Sequence, residues 1–331
     1  MRSKKFVPGS INNKLILDLG LHPFADTFIR KNKLKKKEPI ISLKVYLCKK
    51  TGIIQVGNIT KAEERYNLYD YSYTSANSEY SRNHWKNFYK DIIKFLKKKQ
   101  INVYEIGSND GFLLSNFKKF GHKVMGIDAS KFMTSLANKN KIFTLQKIFN
   151  FKNSKEILKK YGRCDLIIAN NVLNHSNDPM DFIKGVHNIL SDKGTFVFEL
   201  PYWLKTVNTQ KFDQIYHEHI TYFTVLMAFH VLKKNNFQIK KITQNNYHGG
   251  SIRVFSQKSL QPKLNDKISR YIKLEKEKGL FKIKTYKKIF KFIKKKKKEV
   301  VDQIKYYKSK KYVIVGIGAA AKANTLINTF D

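Results

Sequence analysis

The sequence predicts an α/β chain. A doubly wound, mostly parallel sheet is preceded by a small β-rich unit and followed by the start of a second sheet that the chain does not complete. Three observations predict it. Between residues 101 and 200, short apolar runs alternate with amphipathic stretches, the order that buries a parallel sheet between helices. Val103–Leu114 passes without a break from apolar strand to glycine turn to helix, and Lys123–Asp128 supplies the next strand, ending in an acid. A further strand, glycine turn and helix pattern, Lys311–Ile327, closes the sequence.

Taken in order, residues 1–70 read as a small β-rich unit with a thin core. Leu15–Pro23 is a strand entering a turn, Ile40–Leu47 alternates as a strand, and Thr51–Val56 after Cys48 completes a hairpin-like pair. Residues 71–258 form the central unit. It opens with a loop rich in phenols and hydroxyls, Tyr69–Tyr80, whose tyrosines suit either packing under a loop or contact with substrate. A helix follows over 83–99, with Trp85, Phe88, Tyr89, Ile92, Ile93 and Leu96 at helical spacing. Strands are expected at 101–106, 123–127, 142–145, 165–169 and 194–200. Asp178-Pro179 caps a helix running to Leu190, and residues 226–258 give a helix and two strands. Residues 259–331 form the last unit. Lysine-rich helices from Leu264 to Lys308 carry an apolar stripe of Ile268, Ile272, Tyr286, Ile289, Ile293, Val300, Ile304 and Tyr307. The closing strand and glycine turn cannot bury both faces of a strand alone, so the unit either adds to the end of another sheet or, the favoured reading, is a truncated copy of something longer.

Composition narrows the function classes. The chain has 331 residues and 42% hydrophobic content, enough for real cores, and no apolar run approaches the roughly 20 residues of a membrane helix. The start, Met-Arg-Ser-Lys-Lys-Phe-Val-Pro, lacks the apolar stretch of a secretory signal, and two cysteines, Cys48 and Cys164, suit a reducing cytoplasm. The formal charge of +40 is spread over every segment, alongside abundant Asn, Ile, Phe and Tyr. That distribution reads as solvated surface lysine. It is not read as a specific nucleic-acid site, since no recognised nucleic-acid module accompanies it.

The glycine turn selects a ligand. Its pattern is Glu105-x-Gly107-x-Asn109-x-Gly111, with an acid before the first glycine and no phosphate-cradling lysine. Such a turn would repel a pyrophosphate but suits a ligand with a ribose and a cationic amino-acid end, and Asp128 at the next strand end can accept from ribose hydroxyls. The stretch resembles the first motif of class I S-adenosylmethionine (SAM)-dependent methyltransferases. Strand ends of such a sheet bind the ligand, and Asn170 and Asn171 also fall at one. Tyr216-His217-Glu218-His219 follows the fifth strand of the sheet. It lacks the i, i+4 histidine spacing of a helical metal site and reads as an acid/base cluster, with structural histidines as the alternative. The paired glycines of Tyr247–Val254 permit close backbone approach to a ligand, or merely a tight turn before a strand.

Seven stretches together resemble one family, the nucleotide-sugar C-methyltransferases of deoxysugar pathways: Asp70–Ser78, Glu105–Gly111, Asn170–His175, Phe198–Tyr202, Tyr216–Phe223, His248–Arg253 and Gly316–Thr325. The resemblance spans nearly the whole chain. It implies a zinc-type N-terminal domain, a Rossmann-like SAM domain and a C-terminal Rossmann-like domain that helps hold the sugar nucleotide. It implies His219 as the base that removes a proton beside a ketone, Tyr216 and Glu218 as groups that position it or stabilise the enolate oxygen, and Tyr73 closing over the sugar. Glu105, Gly107, Asn109, Gly111, Asp128, Asn170 and Asn171 would hold SAM, while Tyr71, His248, Arg253 and Lys322 would meet the sugar nucleotide. This sequence departs from the family at the N-terminus. One cysteine pair is absent and the other reads Cys48-Lys-Lys-Thr51, so neither zinc nor any other metal site is expected. An O- or N-methyltransferase on a small acceptor, a non-catalytic sugar-nucleotide binder and an RNA methyltransferase are the rival readings. The sugar, the methylated carbon and the oligomeric state are not readable from the sequence.

Overall fold

The computed structural model describes residues 6–25, 31, 35, 39–60, 74–318 and 320–330. Its centre is a seven-stranded sheet of order β10-β11-β8-β7-β4-β5-β6. The strands are β4 (Asn102–Ile106), β5 (Lys123–Asp128), β6 (Thr144–Gln146), β7 (Cys164–Ile168), β8 (Leu190–Pro201), β10 (Phe237–Asn245) and β11 (Ser251–Lys258). From β8 to β6 every pairing is parallel; β11 and β10 add an antiparallel edge. Residues alternate between faces with a period of two. Val103, Leu166, Ile168, Val197 and Phe255 enter one apolar cluster, while Tyr104, Ile106, Ile167, Phe196, Phe198 and Val254 enter the other. Because both faces are covered, the strands are apolar almost without interruption. Helices α1 (Glu79–Leu96), α2 (Phe112–Lys119), α3 (Lys131–Lys139), α4 (Phe151–Tyr161), α5 (Pro179–Ile189), the short α6 (Trp203–Asn208) and α7 (Val225–Lys234) link the strands. Helix α1 turns Trp85, Phe88 and Ile92 inward at helical spacing, and Ser78 caps it by accepting from the Ser81 N–H at 3.2 Å.

The chain order reverses beside β4. It runs outward through β5 and β6, then returns to the other side with β7 and β8. The crevice between the carboxyl ends of β4 and β7 is where an open α/β sheet binds its ligand. The fifth strand is longer than expected: α5 ends at Ile189 and β8 begins at Leu190, with a register irregularity against β7, so Gly194 lies inside the strand.

A second, four-stranded sheet has the order β1-β2-β3-β9, from β1 (Lys14–His22), β2 (Ile41–Cys48), β3 (Ile53–Val56) and β9 (Thr221–Tyr222). Its fourth strand thus comes from far along the chain, directly after the Tyr216–His219 stretch. Ile54 pairs with Tyr222 and Gln55 with Thr221. Leu43, Val45, Leu47, Ile53 and Ile54 are buried in the same cluster as the central sheet, so the N-terminal unit shares a core and does not rely on a thin one of its own.

At the other end, the lysine-rich stretch divides at Gly279 into α8 (Asp266–Glu277) and α9 (Ile283–Ser309). Ile268, Ile272, Tyr286, Ile289 and Ile293 are buried as expected; Ile304 and Tyr307, placed on the same stripe by periodicity, are exposed. Buried Glu275 of α8 accepts from the Val225 and Leu226 N–H groups and from the Tyr202 hydroxyl, fastening this arm to the start of α7 and the end of β8. Residues 312–318 form no strand. Val313 is 88% and Ile317 97% exposed, and no described strand lies beside them to complete a ladder. The helix after them does form. It is α10 (Ala321–Phe330), whose buried Thr325 donates its hydroxyl hydrogen to the Ile215 carbonyl at 2.7 Å.

Candidate functional site

A cavity of about 620 Å³ opens at the carboxyl ends of β4, β5, β7 and β8. That volume lies in the range that takes a cofactor or a small substrate. One end is built from the first glycine turn. Glu105, Gly107 and Asn109 line it, with Asp128 and Ser130 from the end of β5 and Asn170 and Asn171 from the end of β7. Gly107 has φ +70, and a Cβ there would lie 2.9 Å from Val172, so the turn admits only glycine without strain.

Two side chains at this end, Glu105 and Asn170, hold buried polar atoms without a partner among the described residues. Burial, followed by the neighbouring charges of Asp110 and Asp128, pushes the Glu105 carboxyl well above the usual carboxylate range. Its Oε2 is buried without a hydrogen-bond partner among the described residues, as are both amide atoms of Asn170. Buried polar atoms are almost always paired in a complete structure, so these are suited to a ligand that carries donors and acceptors. Asp128 accepts from the Asn109 N–H at 2.9 Å and from the Ser130 N–H at 2.8 Å. Burial raises its pKa, with those two hydrogen bonds working against the rise. A carboxylate has about four lone-pair positions, so acceptor capacity remains for ribose hydroxyls.

The opposite end carries the titratable cluster. The His219 Nδ1 lies 2.8 Å from the Gln214 carbonyl, which can only accept, so Nδ1 carries the hydrogen. The His219 Nε2 is therefore an acceptor, and the Tyr216 hydroxyl donates to it at 2.7 Å. Burial lowers the His219 pKa to about 3; the Gln214 bond opposes the shift, while His248 and Lys322 add to it. The ring is neutral at any ordinary pH. The Gln214 side chain also donates to the His248 carbonyl at 2.8 Å, so one residue ties the two histidines together. His248 has φ +49, and burial lowers its pKa to about 4. Lys322, in the first turn of α10, also lines the cavity, and burial lowers its pKa.

The structure thus gathers His219, Tyr216, His248 and Lys322 with Glu105, Gly107, Asn109, Asp128, Asn170 and Asn171 around one cavity. Three expected site residues lie elsewhere. Arg253 does not line the cavity: it is buried against the face of Phe88, its Nε donates to Glu199 at 2.8 Å, and an Nη donates to Asp91 at 2.7 Å. Its charge is already spent on two carboxylates. Gly111 is the N-cap of α2, with φ +77, and packs on Ile142 behind the cavity wall. Glu218 is half-buried near Tyr222 and is not among the residues that line the cavity. His217 is buried edge-on to Phe24 and plays the structural part. Tyr71 and Tyr73 lie outside the described residues.

The Asp70–Ser78 stretch and the apolar stripe of α1 each bring one further residue to the cavity, Ser75 and Trp85. Ser75 and Trp85 line the cavity because Asn109 and Asp110 hold their segment down. The Asn109 Oδ1 accepts from the Ser75 N–H at 2.9 Å, Asp110 accepts from the Ser75 hydroxyl and from the Ala76 N–H, and Trp85 donates to the Ser75 carbonyl at 3.1 Å. His175 closes the quoted Asn170–His175 stretch, and its ring centre lies 5.2 Å from that of His219. Position within that motif was the available clue. Among the described residues no group of three or more His, Cys, Asp or Glu side chains could hold a metal ion, and no helix is long and apolar enough to cross a membrane.

Comparison with known proteins gives three family matches in chain order. Residues 7–66 match a model described as "Putative zinc binding domain", residues 81–242 a methyltransferase domain, and residues 246–331 a C-methyltransferase C-terminal domain. The C-methyltransferase NovU of Streptomyces niveus is 21% identical over 325 residues, covering 94% of this chain and 74% of that one. The ubiquinone biosynthesis O-methyltransferase of Pelagibacter ubique is 28% identical over 167 residues, covering 45% of this chain and 67% of that one. Among solved structures, the PH0226 protein of Pyrococcus horikoshii OT3 is similar at a TM-score of 0.46 and 14% identity, covering 60% of this chain and all of that one. The three family matches, together with a NovU likeness that runs through nearly the full length, place the chain in the C-methyltransferase family, as a SAM-dependent methyltransferase.

Proposed function

We propose that the methyl acceptor is a carbon beside a ketone in a nucleotide-linked sugar, and that His219 is the base that makes that carbon nucleophilic. The observation that carries this reading is the fixed imidazole: the Gln214 carbonyl holds the hydrogen on Nδ1 and leaves Nε2 as an acceptor in the cavity that Glu105 and Asp128 also line. Forming a bond from carbon to a methyl group requires a carbanion equivalent, and a neighbouring carbonyl makes the proton on that carbon removable as an enolate. SAM, when bound, supplies the electrophilic methyl group. Glu105 and Asn170 satisfy the polar end of the donor, and Asp128 accepts from ribose hydroxyls.

The proton leaves the sugar carbon for Nε2. Until then Nε2 accepts from the Tyr216 hydroxyl. Once protonated it can accept no longer, so the phenol turns its hydrogen to the enolate oxygen and stabilises the charge as it develops. The buried ring has low proton affinity in the bare cavity. The enolate and the substrate diphosphate bring negative charge beside it and raise that affinity when it is needed. His248 and Lys322, lining the same end, face the diphosphate.

His219→Asn tests the reading with purified protein, SAM and a panel of keto-sugar nucleotides, products being identified by mass spectrometry. Methyl transfer should fall by about 100-fold or more, with SAM affinity by calorimetry unchanged. The wild type should also exchange the sugar-carbon hydrogen with deuterated solvent when no SAM is present. Undiminished transfer in the variant removes His219 from the role, and absence of exchange favours an O- or N-acceptor.

A further inference from the structure

Residues 7–66 match a family model described as zinc binding, and a structural zinc of that kind takes four nitrogen or sulfur donors, commonly thiolates paired at C-x-x-C spacing. The donor chemistry of this chain does not fit that group. Cys48 is the one thiol in the segment, and Cys164 is buried in β7 of the other sheet. Yet two turns, each with ends three residues apart, are present and meet. The first is Ser10–Asn13, with Asn12 at φ +52. The second is Cys48–Thr51, closed by the Gly52 N–H donating to the Cys48 carbonyl at 2.9 Å. The Thr51 hydroxyl and the backbone N–H groups of Ile11, Thr51 and Lys50 stand around the Cys48 sulfur and lower its pKa against the burial that opposes them. One of those N–H groups belongs to the first turn and two to the second, so both wrap the same atom.

Gln55 completes the arrangement from β3. It is fully buried. Its Oε1 accepts from the Val7 N–H at 2.7 Å, and its Nε2 donates to the Ser10 hydroxyl at 2.7 Å and to the Asn13 Oδ1 at 3.3 Å. The Asn13 amide donates in turn to the Ser10 hydroxyl at 3.2 Å. We propose that this arrangement is a metal-free clasp standing where a tetrahedral zinc site would stand: Ser10, Asn13, Cys48 and Thr51 hold the four ligand positions at x-x spacing, the two turns close around the Cys48 sulfur, and Gln55 ties the first turn to β3. The clasp fixes β3, and β3 pairs with β9, two residues past His219. It therefore braces the segment that carries the proposed base without needing a bound ion.

The test uses the full-length protein. In the wild type, zinc measured after purification should be far below one equivalent and EDTA should leave Tm unchanged. The variant S10C/N13C/T51C should take up about one equivalent of cobalt(II) with thiolate charge-transfer absorption, the signature of a tetrahedral thiolate site. Stoichiometric zinc in the wild type whose removal lowers Tm overturns the proposal, as does a folded triple variant that leaves cobalt free. Gln55→Leu guards against a triple variant that fails to fold. It orphans the Val7 N–H and releases the first turn, so Tm should drop by about 5 °C and proteolysis before Lys14 should quicken. An unchanged Tm and cleavage rate in that variant overturns the clasp.

Discussion

Val103–Leu114 and Lys311–Ile327 share one local pattern, an apolar run, a glycine turn and then a helix, and they fold differently. In the first, β4 lies between β5 and β7, both parallel to it, and Val103, Glu105 and Ile106 are buried. In the second, no described strand flanks the apolar run, Val313 and Ile317 stand in solvent, and only the following helix is regular. A helix satisfies its own backbone, whereas a strand borrows its hydrogen bonds from neighbours. That is why the same pattern yields α10 in the tail but no strand before it. The two stretches still meet at one cavity, because α10 docks on the Phe212–Ile215 segment and carries Lys322 into the cavity that the first glycine turn opens.

The contrast gives its largest test in ligand affinity. Asp128→Ala should weaken SAM binding by about 100-fold, on the order of 2.7 kcal/mol, while Lys322→Ala should leave SAM affinity alone and raise KM for the sugar nucleotide by about 10-fold. Calorimetry and steady-state kinetics separate the two. If Lys322→Ala weakened SAM and spared the sugar nucleotide, the two ends of the cavity would have to be exchanged.

A smaller effect compares one glycine from each pattern. Gly107→Ala forces an alanine to φ +70 with its Cβ 2.9 Å from Val172, and should cost about 2 kcal/mol. Gly316→Ala meets nothing within 4 Å and carries no left-handed φ, so its change should stay within about 0.5 kcal/mol. Urea unfolding midpoints decide. Equal losses at both positions would mean that the tail turn is packed as tightly as the first.

A separate effect appears in the acid limb of stability. An unfolded His219 takes up a proton near pH 6.5, while burial holds the native ring neutral down to about 3. Between those values the unfolded state binds more protons, so stability is fully present above 6.5 and falls as the pH drops through that window. His219→Asn removes this term, and its stability profile between pH 6.5 and 4 should be flatter than that of the wild type. Parallel profiles would show that the ring titrates normally and is open to solvent.

Much of the cavity's first end was legible because its residues are neighbours in sequence: Glu105, Gly107 and Asn109 share one turn, and Asp128 ends the next strand. The other end was legible only in part. His219 and Tyr216 are three residues apart and meet directly, but Glu218 between them does not line the cavity. Arg253 sat in a promising stretch, yet its β-strand position sets it against Glu199 and Asp91, a pairing across 54 and 162 residues that no local pattern announces.

By itself the sequence determined the alternation of strands and helices, the glycine turn with its flanking acid, and the chemical types available at the site, since these depend on periodicity and on steric rules acting over a few residues. Tertiary structure alone decided that Thr221–Tyr222 would complete the N-terminal sheet, that Gln55 would tie the Ser10–Asn13 turn to β3, that Arg253 would be neutralised, and that the last apolar run would stay unpaired. Each of those outcomes depends on which groups become neighbours across long stretches of chain. Hydrogen bonds, ion pairs and strand ladders take their partners from proximity in space, which the local pattern does not encode.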